Sequence, residues 1–309
     1  MDEYNLIVIL GPTASGKTAV AAHLASHING EIISADSRQV YRQLNLGTGK
    51  DYADYMVDGK QMPYHLIDIA DPGSQYNVYE YQKDFVTVFE DIRKRDKFPI
   101  LCGGSGLYIE AVIQGYKLIQ VPINQFLRDQ LEQKTLEELI AILATYKNIH
   151  NNSNTANSKR AIRAIEIEEY YVHHPDIDIR YPEINPLLIG VKFDRSTERR
   201  RITERLKQRL QSGMIEEVEL LLKNGVTPEQ LIYYGLEYKF LTQYITGVML
   251  YDEMFSLLNT AIHQFAKRQM TWFRRMELQG MKIQWMDGFM PMEQKMERIL
   301  NLGRVTKSR

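Results

Sequence analysis

The sequence predicts an α/β protein in which helices flank a parallel sheet and a helical insertion interrupts the chain. Two stretches carry this prediction, "YNLIVIL" near the start and "FPILCGGSG" at 98–106. Each is an apolar run that leads through glycine into a helical pattern, as is typical of strands buried on both faces of a parallel sheet. A third stretch, from Gln120 to His174, has helical periodicity and no convincing strand, which predicts the helical insertion.

The remaining elements follow the same alternation. After the first strand, Val20, Leu24 and Ile28 recur at a spacing of four, which indicates a helix. "EIISA" predicts a second strand ending at Asp36, and "NPLLIGVKF" predicts a further strand at 185–193. Beyond it the pattern is that of long helices, with a short strand candidate in "MKIQWM". Since ligands bind at the carboxyl ends of parallel strands, we expect the glycine loops and Asp36 to share one site.

The chain is expected to divide into two parts. Residues 1–117 and 186–309 form the predicted α/β core with C-terminal helices, and residues 118–185 form the helical insertion. The insertion contains the helical segment "TLEELIAILATY" and the polar loop "HNNSNTANSKR". A length of 309 residues is consistent with this division.

The composition is that of a globular protein, with 44% hydrophobic and 25% charged residues. No early apolar run approaches the roughly 20 residues of a membrane span. The acidic residues 1–3 do not resemble an export signal, so we expect a cytoplasmic protein, and we expect a monomer. The single cysteine, Cys102, excludes an intramolecular disulfide and a cysteine-based zinc finger.

A net charge of −1 does not indicate a nucleic-acid-binding protein, but the basic residues are clustered. One cluster lies between Asp194 and Arg209, and another lies in "AKRQMTWFRR", which ends at Arg275. Such clusters either bind a polyanion or form solvated helix faces with ion pairs at a spacing of four. The charge pattern alone leaves both interpretations open.

The segment "GPTASGKT" matches the phosphate-binding pattern G-x-x-x-x-G-K-[ST] at every fixed position and lies between a strand and a helix. In such a loop the backbone N–H groups and the positive end of the helix dipole face phosphate oxygens. The lysine adds a charge, and the threonine hydroxyl is the expected ligand of Mg²⁺. The predicted phosphate-binding residues are Gly11, Thr13, Ala14, Ser15, Gly16, Lys17 and Thr18. The pattern does not distinguish a nucleoside triphosphate from a diphosphate ester.

Two further side chains are candidates for the chemistry. Asp36 follows the second strand, where a carboxylate binds Mg²⁺ through water, acts as a general base, or only caps the next turn. Ser105 lies between glycines in "GGSGLY". Its hydroxyl either contacts a leaving phosphate or only belongs to a tight turn that needs glycine.

A series of segments resembles the motifs of the tRNA dimethylallyltransferase family, whose members are also called tRNA isopentenyltransferases. In chain order the segments are "GPTASGKT", "DSRQVYR", "PYHLIDI", "GGSGLY", "KRAIRAIEI", "DRSTERRRITERLKQRLQSGMIEEV" and "AKRQMTWFR". The resemblance extends from about Asn5 to Arg275.

This resemblance implies transfer of a dimethylallyl group from dimethylallyl diphosphate to N6 of adenine 37, next to the anticodon of tRNA, with release of diphosphate. It assigns Asp36 as the base, and it assigns Arg201 and Ser105, with Lys17 and Mg²⁺ on Thr18, to the departing diphosphate. The target base is expected to leave its stack, and the insertion is expected to hold the anticodon stem. The expected tRNA contacts are Ser37, Gln39, Arg160, Arg163, Lys267, Arg268, Gln269 and Arg274.

Several positions depart from the family pattern. Tyr64-His65 stands where His-His is usual, Ile262-His263 replaces a common Thr-Arg, and "GLEYK" (Gly235–Lys239) differs from the usual G-Y-K-E. The D-P pair and the proline that usually precede the "KRAIR" segment are absent from the sequence. We expect these changes to affect tRNA choice and docking.

Three other functions stay open on the sequence. A P-loop small-molecule kinase using ATP shares the loop and the sheet but gives no reason for "AKRQMTWFRR". A prenyltransferase acting on free adenine nucleotides shares the core but does not need the helical insertion. A catalytically idle RNA-binding protein does not need Lys17, Thr18 and Asp36.

Overall fold

The computed structural model describes residues 4–146, 157–174 and 180–303. The structure divides into two units, a first unit of Met1–Tyr116 and Pro182–Arg309 and a second unit of Lys117–Tyr181. Residues 1–3, and residues 150–156 of the predicted polar loop, lie outside the described residues. Among the described helices, none is both long enough and apolar enough to span a bilayer.

The first unit is built on a parallel sheet. The strands of this unit include those of the sheet and those of a short hairpin. In chain order they are β1 (Leu6–Leu10), β2 (Gly30–Ala35), β3 (Met56–Val57), β4 (Lys60–Gln61), β5 (Tyr64–His65), β6 (Phe98–Gly103), β7 (Pro186–Lys192) and β8 (Ile283–Asp287). Six of them form the sheet in the order β5-β2-β6-β1-β7-β8, with every pair parallel, and β3 pairs with β4 antiparallel. In the register of the sheet, Ile7 lies beside Ile100 and Leu187. The predicted parallel sheet is confirmed.

Helices pack around this sheet and also form the second unit. They are α1 (Lys17–Ile28), α2 (Val78–Lys94), α3 (Gly106–Ile113), α4 (Gln125–Glu132), α5 (Leu136–Tyr146), α6 (Ser158–His173), α7 (Arg195–Gln211), α8 (Met214–Lys223), α9 (Pro228–Tyr233), α10 (Leu236–Ile245), α11 (Tyr251–Leu278) and α12 (Met292–Gly303). The sequence predicts the strand in "MKIQWM", which is β8, as the last element, whereas the structure has a further helix, α12, after it. Met296 and Ile299 of that helix are buried in the same cluster as Val20 and Leu24 of α1.

Each unit has its own apolar core. In the first unit one core lies between the sheet, α1 and α12, and another joins helices α7 to α11 around residues such as Leu206, Tyr238 and Leu258. The second unit buries Leu139, Leu143 and Ile165, among others, between α4, α5 and α6. The core of α7 to α11 holds the long helix α11 in place beside the strand ends.

The two neighbouring leucines of α11, Leu258 and Leu257, allow a matched test of that core. Leu258 is fully buried and Leu257 is 42% exposed. We expect Leu258→Ala to lower the free energy of unfolding by about 2–5 kcal/mol, because it leaves a cavity. Leu257→Ala should change it by less than about 0.5 kcal/mol. Chemical denaturation checks both values, and equal effects of the two substitutions would contradict this placement of the helix.

Candidate active site

A cavity of about 420 Å³ lies at the carboxyl ends of β1, β2 and β6. Lys17, Thr18, Asp36 and Ser105, each a candidate from the sequence, line it together. The predicted convergence of the glycine loops and Asp36 on one site is therefore what the structure shows.

The two glycines of the phosphate-binding loop, residues 11–18, are needed for different reasons, close packing at Gly11 and a positive φ at Gly16. A Cβ at Gly11 would lie 2.4 Å from the Val191 carbonyl oxygen, and Gly16 has a φ of +79°. The loop leads into the N-terminus of α1, so the positive end of the helix dipole lies at the cavity. No acidic residue in the first turn of α1 offsets this charge. Burial lowers the pKa of Lys17, whose Nζ lies 3.3 Å from the Pro12 carbonyl oxygen. A partly buried ammonium of this kind is stabilised by a neighbouring anion.

The side-chain amide of Gln269 joins this loop to the next glycine loop. Its Oε1 accepts a hydrogen bond from the Thr13 N–H at 2.8 Å, and its Nε2 donates to the Gly104 carbonyl at 2.9 Å. Gln269 is buried, and it is the only polar residue among the buried positions of the described helix α11. An unpaired buried amide is costly, so these two bonds fix the spacing of the two loops.

The glycines of "GGSG" lie so close to neighbouring groups that a side chain at any of them would collide. A Cβ at Gly103 would lie 2.2 Å from the Ala35 carbonyl oxygen, one at Gly104 would lie 2.3 Å from Gln269 Nε2, and one at Gly106 would lie 2.3 Å from the Trp272 ring. This loop therefore packs directly against α11. Two segments far apart in the chain, "GGSGLY" and "AKRQMTWFR", form a single contact.

A buried carboxylate, Glu110, holds α11 against α3. Glu110 accepts hydrogen bonds from Trp272 Nε1, Arg275 and the Tyr116 hydroxyl, each at 2.6 Å. The Arg275 guanidinium also lies over the Trp272 ring at 4.2 Å. Arg275, part of the second basic cluster, is therefore paired inside the protein.

Asp36 and Ser105 follow the neighbouring strands β2 and β6. Asp36 Oδ1 accepts a hydrogen bond from the Arg38 N–H at 2.8 Å, which is the turn-capping role that the sequence allowed. Ser105 Oγ accepts from the Ser37 N–H at 3.1 Å. Both side chains are thus oriented by the backbone of residues 37–38 and also line the cavity.

Three arginines of α7 lie beside the phosphate-binding loop at a spacing of four. Arg201 Nε donates to the Ala14 carbonyl at 2.9 Å. Arg205 donates to Thr13 Oγ1 at 3.2 Å, and Arg205 and Arg209 both pair with Asp51. Arg201 lines an outer cavity next to the loop, whereas Arg205 and Arg209 line the main cavity.

The pKa values of Arg209 and Asp51 reflect burial and the charges of their neighbours. Burial and the neighbouring Arg205 lower the pKa of Arg209. Burial acts to raise the pKa of Asp51, but the positive charges of Arg205 and Arg209 hold this pKa below its usual value. One carboxylate thus serves two guanidinium groups, which leaves positive charge next to the phosphate-binding loop.

The structure places the predicted tRNA contacts in several environments. Ser37, Gln39 and Arg268 line the cavity, and Lys267 and Arg274 are exposed on α11. Gln269 also lines the cavity, and both ends of its amide are hydrogen-bonded to the two loops. In the second unit Arg160 is exposed, whereas Arg163 is engaged by Glu166 and by the Val121 carbonyl at 2.9 Å.

The segment "GLEYK", which departs from the family pattern, helps to hold the cavity wall in place. Tyr238 is buried and donates to Glu217 at 2.6 Å, and Glu217 also accepts the N–H groups of residues 45–47. Glu237 lines the cavity, and burial raises its pKa. At the other departures, Ile262 is buried in the core of α7 to α11, and His65 lies 2.7 Å from Glu31.

Sequence reasoning did not single out Asp51, Glu217 or Glu237. Glu217 belongs to the recognised segment ending in "IEEV", and the spacing of Arg201, Arg205 and Arg209 places them on one helix face. Asp51 carries no comparable local pattern, since its partners lie more than 150 residues away. Within the described residues, no group of three or more His, Cys, Asp or Glu side chains could hold a metal ion.

The sheet, the phosphate-binding loop and the charged cavity at the strand ends define an α/β enzyme of the P-loop type. A sequence profile described as "IPP transferase" matches residues 39–276, and one described as "Isopentenyl transferase" matches residues 4–70. The chain belongs to the IPP transferase family of transferases.

Relatives and a solved structure agree with this membership. The chain is 61% identical to tRNA dimethylallyltransferase 2 of Bacteroides fragilis over 96% of each chain. It is 59% identical to tRNA dimethylallyltransferase 1 of Parabacteroides distasonis over 97% of this chain and 99% of that one. The crystal structure of a tRNA isopentenylpyrophosphate transferase from Bacillus halodurans superposes with a TM-score of 0.71, at 30% identity, over 98% of this chain and 97% of that one. The predicted family and fold class are confirmed.

The Gln269 amide can be tested by an exchange that keeps its size. We expect Gln269→Met to weaken binding of inorganic diphosphate with Mg²⁺ by about 5- to 150-fold, because the Thr13 N–H and the Gly104 carbonyl lose their buried partner. Isothermal titration calorimetry measures this binding. Gln264→Met, at an exposed position of the same helix, is the matched control. Equal affinities for both variants and the unchanged protein would show that the amide does not set the loop spacing.

Proposed function

We propose that this protein transfers the dimethylallyl group of dimethylallyl diphosphate to N6 of adenine 37, next to the anticodon of tRNA, and releases diphosphate. The names of its relatives in Bacteroides fragilis and Parabacteroides distasonis support this activity. One structural observation carries it: a single cavity contains the phosphate-binding loop, the Asp36 carboxylate and the Ser105 hydroxyl, and the exposed basic residues of α11 lie beside it.

The diphosphate of the donor binds in the loop of residues 11–18. Lys17 and the N–H groups at the start of α1 face its oxygens, and Arg205, which donates to Thr13 Oγ1, adds a guanidinium beside the loop. Arg201 approaches the same loop from the outer side, at the Ala14 carbonyl. As the carbon–oxygen bond breaks, negative charge collects on the diphosphate, and these cations stabilise it.

The residues present fit Mg²⁺ bound together with the diphosphate. The Thr18 hydroxyl is an oxygen donor that lines this cavity beside Lys17. Mg²⁺ in phosphate sites uses few protein oxygens and completes its shell with phosphate oxygens and water. When bound, the ion would neutralise charge on the leaving diphosphate.

The acceptor side of the reaction needs a base. N6 of adenine forms a bond to C1 of the dimethylallyl group, the bond from C1 to the diphosphate oxygen breaks, and N6 loses one proton. Because Oδ1 of Asp36 is held by the Arg38 N–H, Oδ2 takes this proton. The Ser105 hydroxyl lies on the neighbouring strand end, next to the departing diphosphate.

The tRNA binds at the cavity mouth and along α11. Lys267, Arg268 and Arg274 are exposed there, and phosphate contacts of this kind position an RNA without reading its sequence. The insertion, residues 118–185, holds the anticodon stem in this proposal. The protein acts as a monomer in the cytoplasm, where its substrate is found.

Transfer is tested by incubating the protein with Mg²⁺, radiolabelled dimethylallyl diphosphate and unmodified tRNA, followed by digestion to nucleosides. We expect the label in a prenylated adenosine, with stoichiometric release of diphosphate. Label in free adenine nucleotides instead of tRNA would assign the activity to the nucleotide-prenylating branch. ADP formation from ATP, without transfer, would assign a kinase.

The base is tested by Asp36→Asn, which keeps the size and the capping oxygen. We expect the single-turnover rate to fall by roughly 10²–10⁴ while tRNA affinity stays unchanged, because the amide cannot accept the N6 proton. Asp58→Asn, at an exposed turn, is the control. A variant that loses tRNA binding but keeps its rate would remove Asp36 from the chemistry.

The basic face of α11 is tested by Lys267→Ala. We expect weaker tRNA binding and a slope of log K against log salt that is reduced by about 1, as for the loss of one phosphate contact. The exposed Lys94→Ala on α2 is the control. An affinity loss that does not vary with salt would assign Lys267 a role in packing.

A further inference from the structure

Two aromatic rings are exposed where the cavity opens. Tyr233, at the end of α9, and Phe265, on α11, both line the cavity, and they are 48% and 38% exposed. Aromatic side chains that line a concave site are typical of ligand-binding pockets. The floor of the same cavity binds phosphate, so the ligand at the mouth has both charge and apolar surface.

Each of these rings carries an arginine over its face. The Arg38 guanidinium lies 5.3 Å from the centre of the Tyr233 ring, and that of Arg268 lies 5.9 Å from the centre of the Phe265 ring. Lys239 lines the cavity nearby. Flat aromatic and guanidinium surfaces with neighbouring positive charge match one class of ligand, unpaired nucleobases with their phosphates.

The Tyr233 ring is rigidly supported from inside. It packs edge-on against Tyr234 at 5.6 Å, and Tyr234 packs against Tyr41 at 4.6 Å. Tyr234 and Tyr41 are buried, and their hydroxyls accept N–H groups from residues 73 and 76. Since the ring is already ordered, stacking on it costs little conformational entropy.

We propose that Tyr233 and Phe265 are stacking surfaces for the unpaired bases next to the target adenine. This inference rests on the proposed function. Once the target base enters the cavity, its neighbours lose a stacking partner. The two rings replace that partner, and Arg38 and Arg268 lie beside the phosphates of the same nucleotides.

The test measures affinity for a synthetic anticodon stem-loop RNA that carries an unmodified adenosine next to the anticodon. We expect Tyr233→Leu and Phe265→Leu each to weaken binding about 5- to 150-fold, as for the loss of one stacked base. Tyr233→Trp and Phe265→Tyr keep a flat ring and should keep the affinity within about threefold. The salt slope should stay unchanged, because no phosphate contact is lost.

Two readouts separate stacking from damage to the fold. Binding of inorganic diphosphate with Mg²⁺ should be the same in all four variants. Tyr251→Leu, a tyrosine of α11 with 43% exposure that does not line the cavity, should leave RNA affinity unchanged.

The other outcomes have distinct meanings. Unchanged RNA affinity in both leucine variants, with transfer by the unchanged protein intact, would overturn the stacking surfaces but keep the function. A reduced salt slope would assign the rings to phosphate positioning and would also overturn the proposal. If the unchanged protein does not bind the stem-loop at all, the proposed function fails, and this inference fails with it.

Discussion

The hydrogen bonds of the Gln269 amide are the interaction on which the site depends. They connect the Thr13 N–H of the phosphate-binding loop to the Gly104 carbonyl of the loop that carries Ser105. The apolar residues around Gln269 on α11 pack the helix, and the Gln269 amide joins the two loops. The glycine at 104 is required because a side chain there would collide with the amide. A binding site at the strand ends thus depends on a helix far away in the chain.

The same helix has two functional faces. Its inner face holds the loops and, through Trp272 and Glu110, is fixed against α3. Its outer face presents basic side chains beside the cavity mouth. In the proposed function, RNA on the outer face would therefore meet a helix that already fixes the spacing of the two loops. Lys17 and the arginine group around Asp51 place positive charge at that site.

Local patterns in the sequence predicted the elements that are locally determined. The apolar strands, the loop of residues 11–18 and the helix carrying Val20, Leu24 and Ile28 depend on neighbouring residues, and the structure has them where the sequence indicated. Residues whose partners are distant in the chain could not be placed in this way. The role of Asp51 depends on its ion pairs with arginines of α7. Gln269 lies in a family motif, but the motif does not indicate that its amide points inward. Tyr233 lies just before the departure "GLEYK", and only the fold shows that it faces the cavity.

The central claim is that one cavity receives the donor diphosphate and the target adenine together. The most direct measurement is a structure of the protein with an anticodon stem-loop RNA and a non-reactive analogue of dimethylallyl diphosphate. We predict that the diphosphate lies within the loop of residues 11–18, and that the adenine N6 lies within about 2.6–3.2 Å of an Asp36 carboxylate oxygen. An adenine that stays stacked in the RNA loop, or a diphosphate bound away from Lys17, would contradict it.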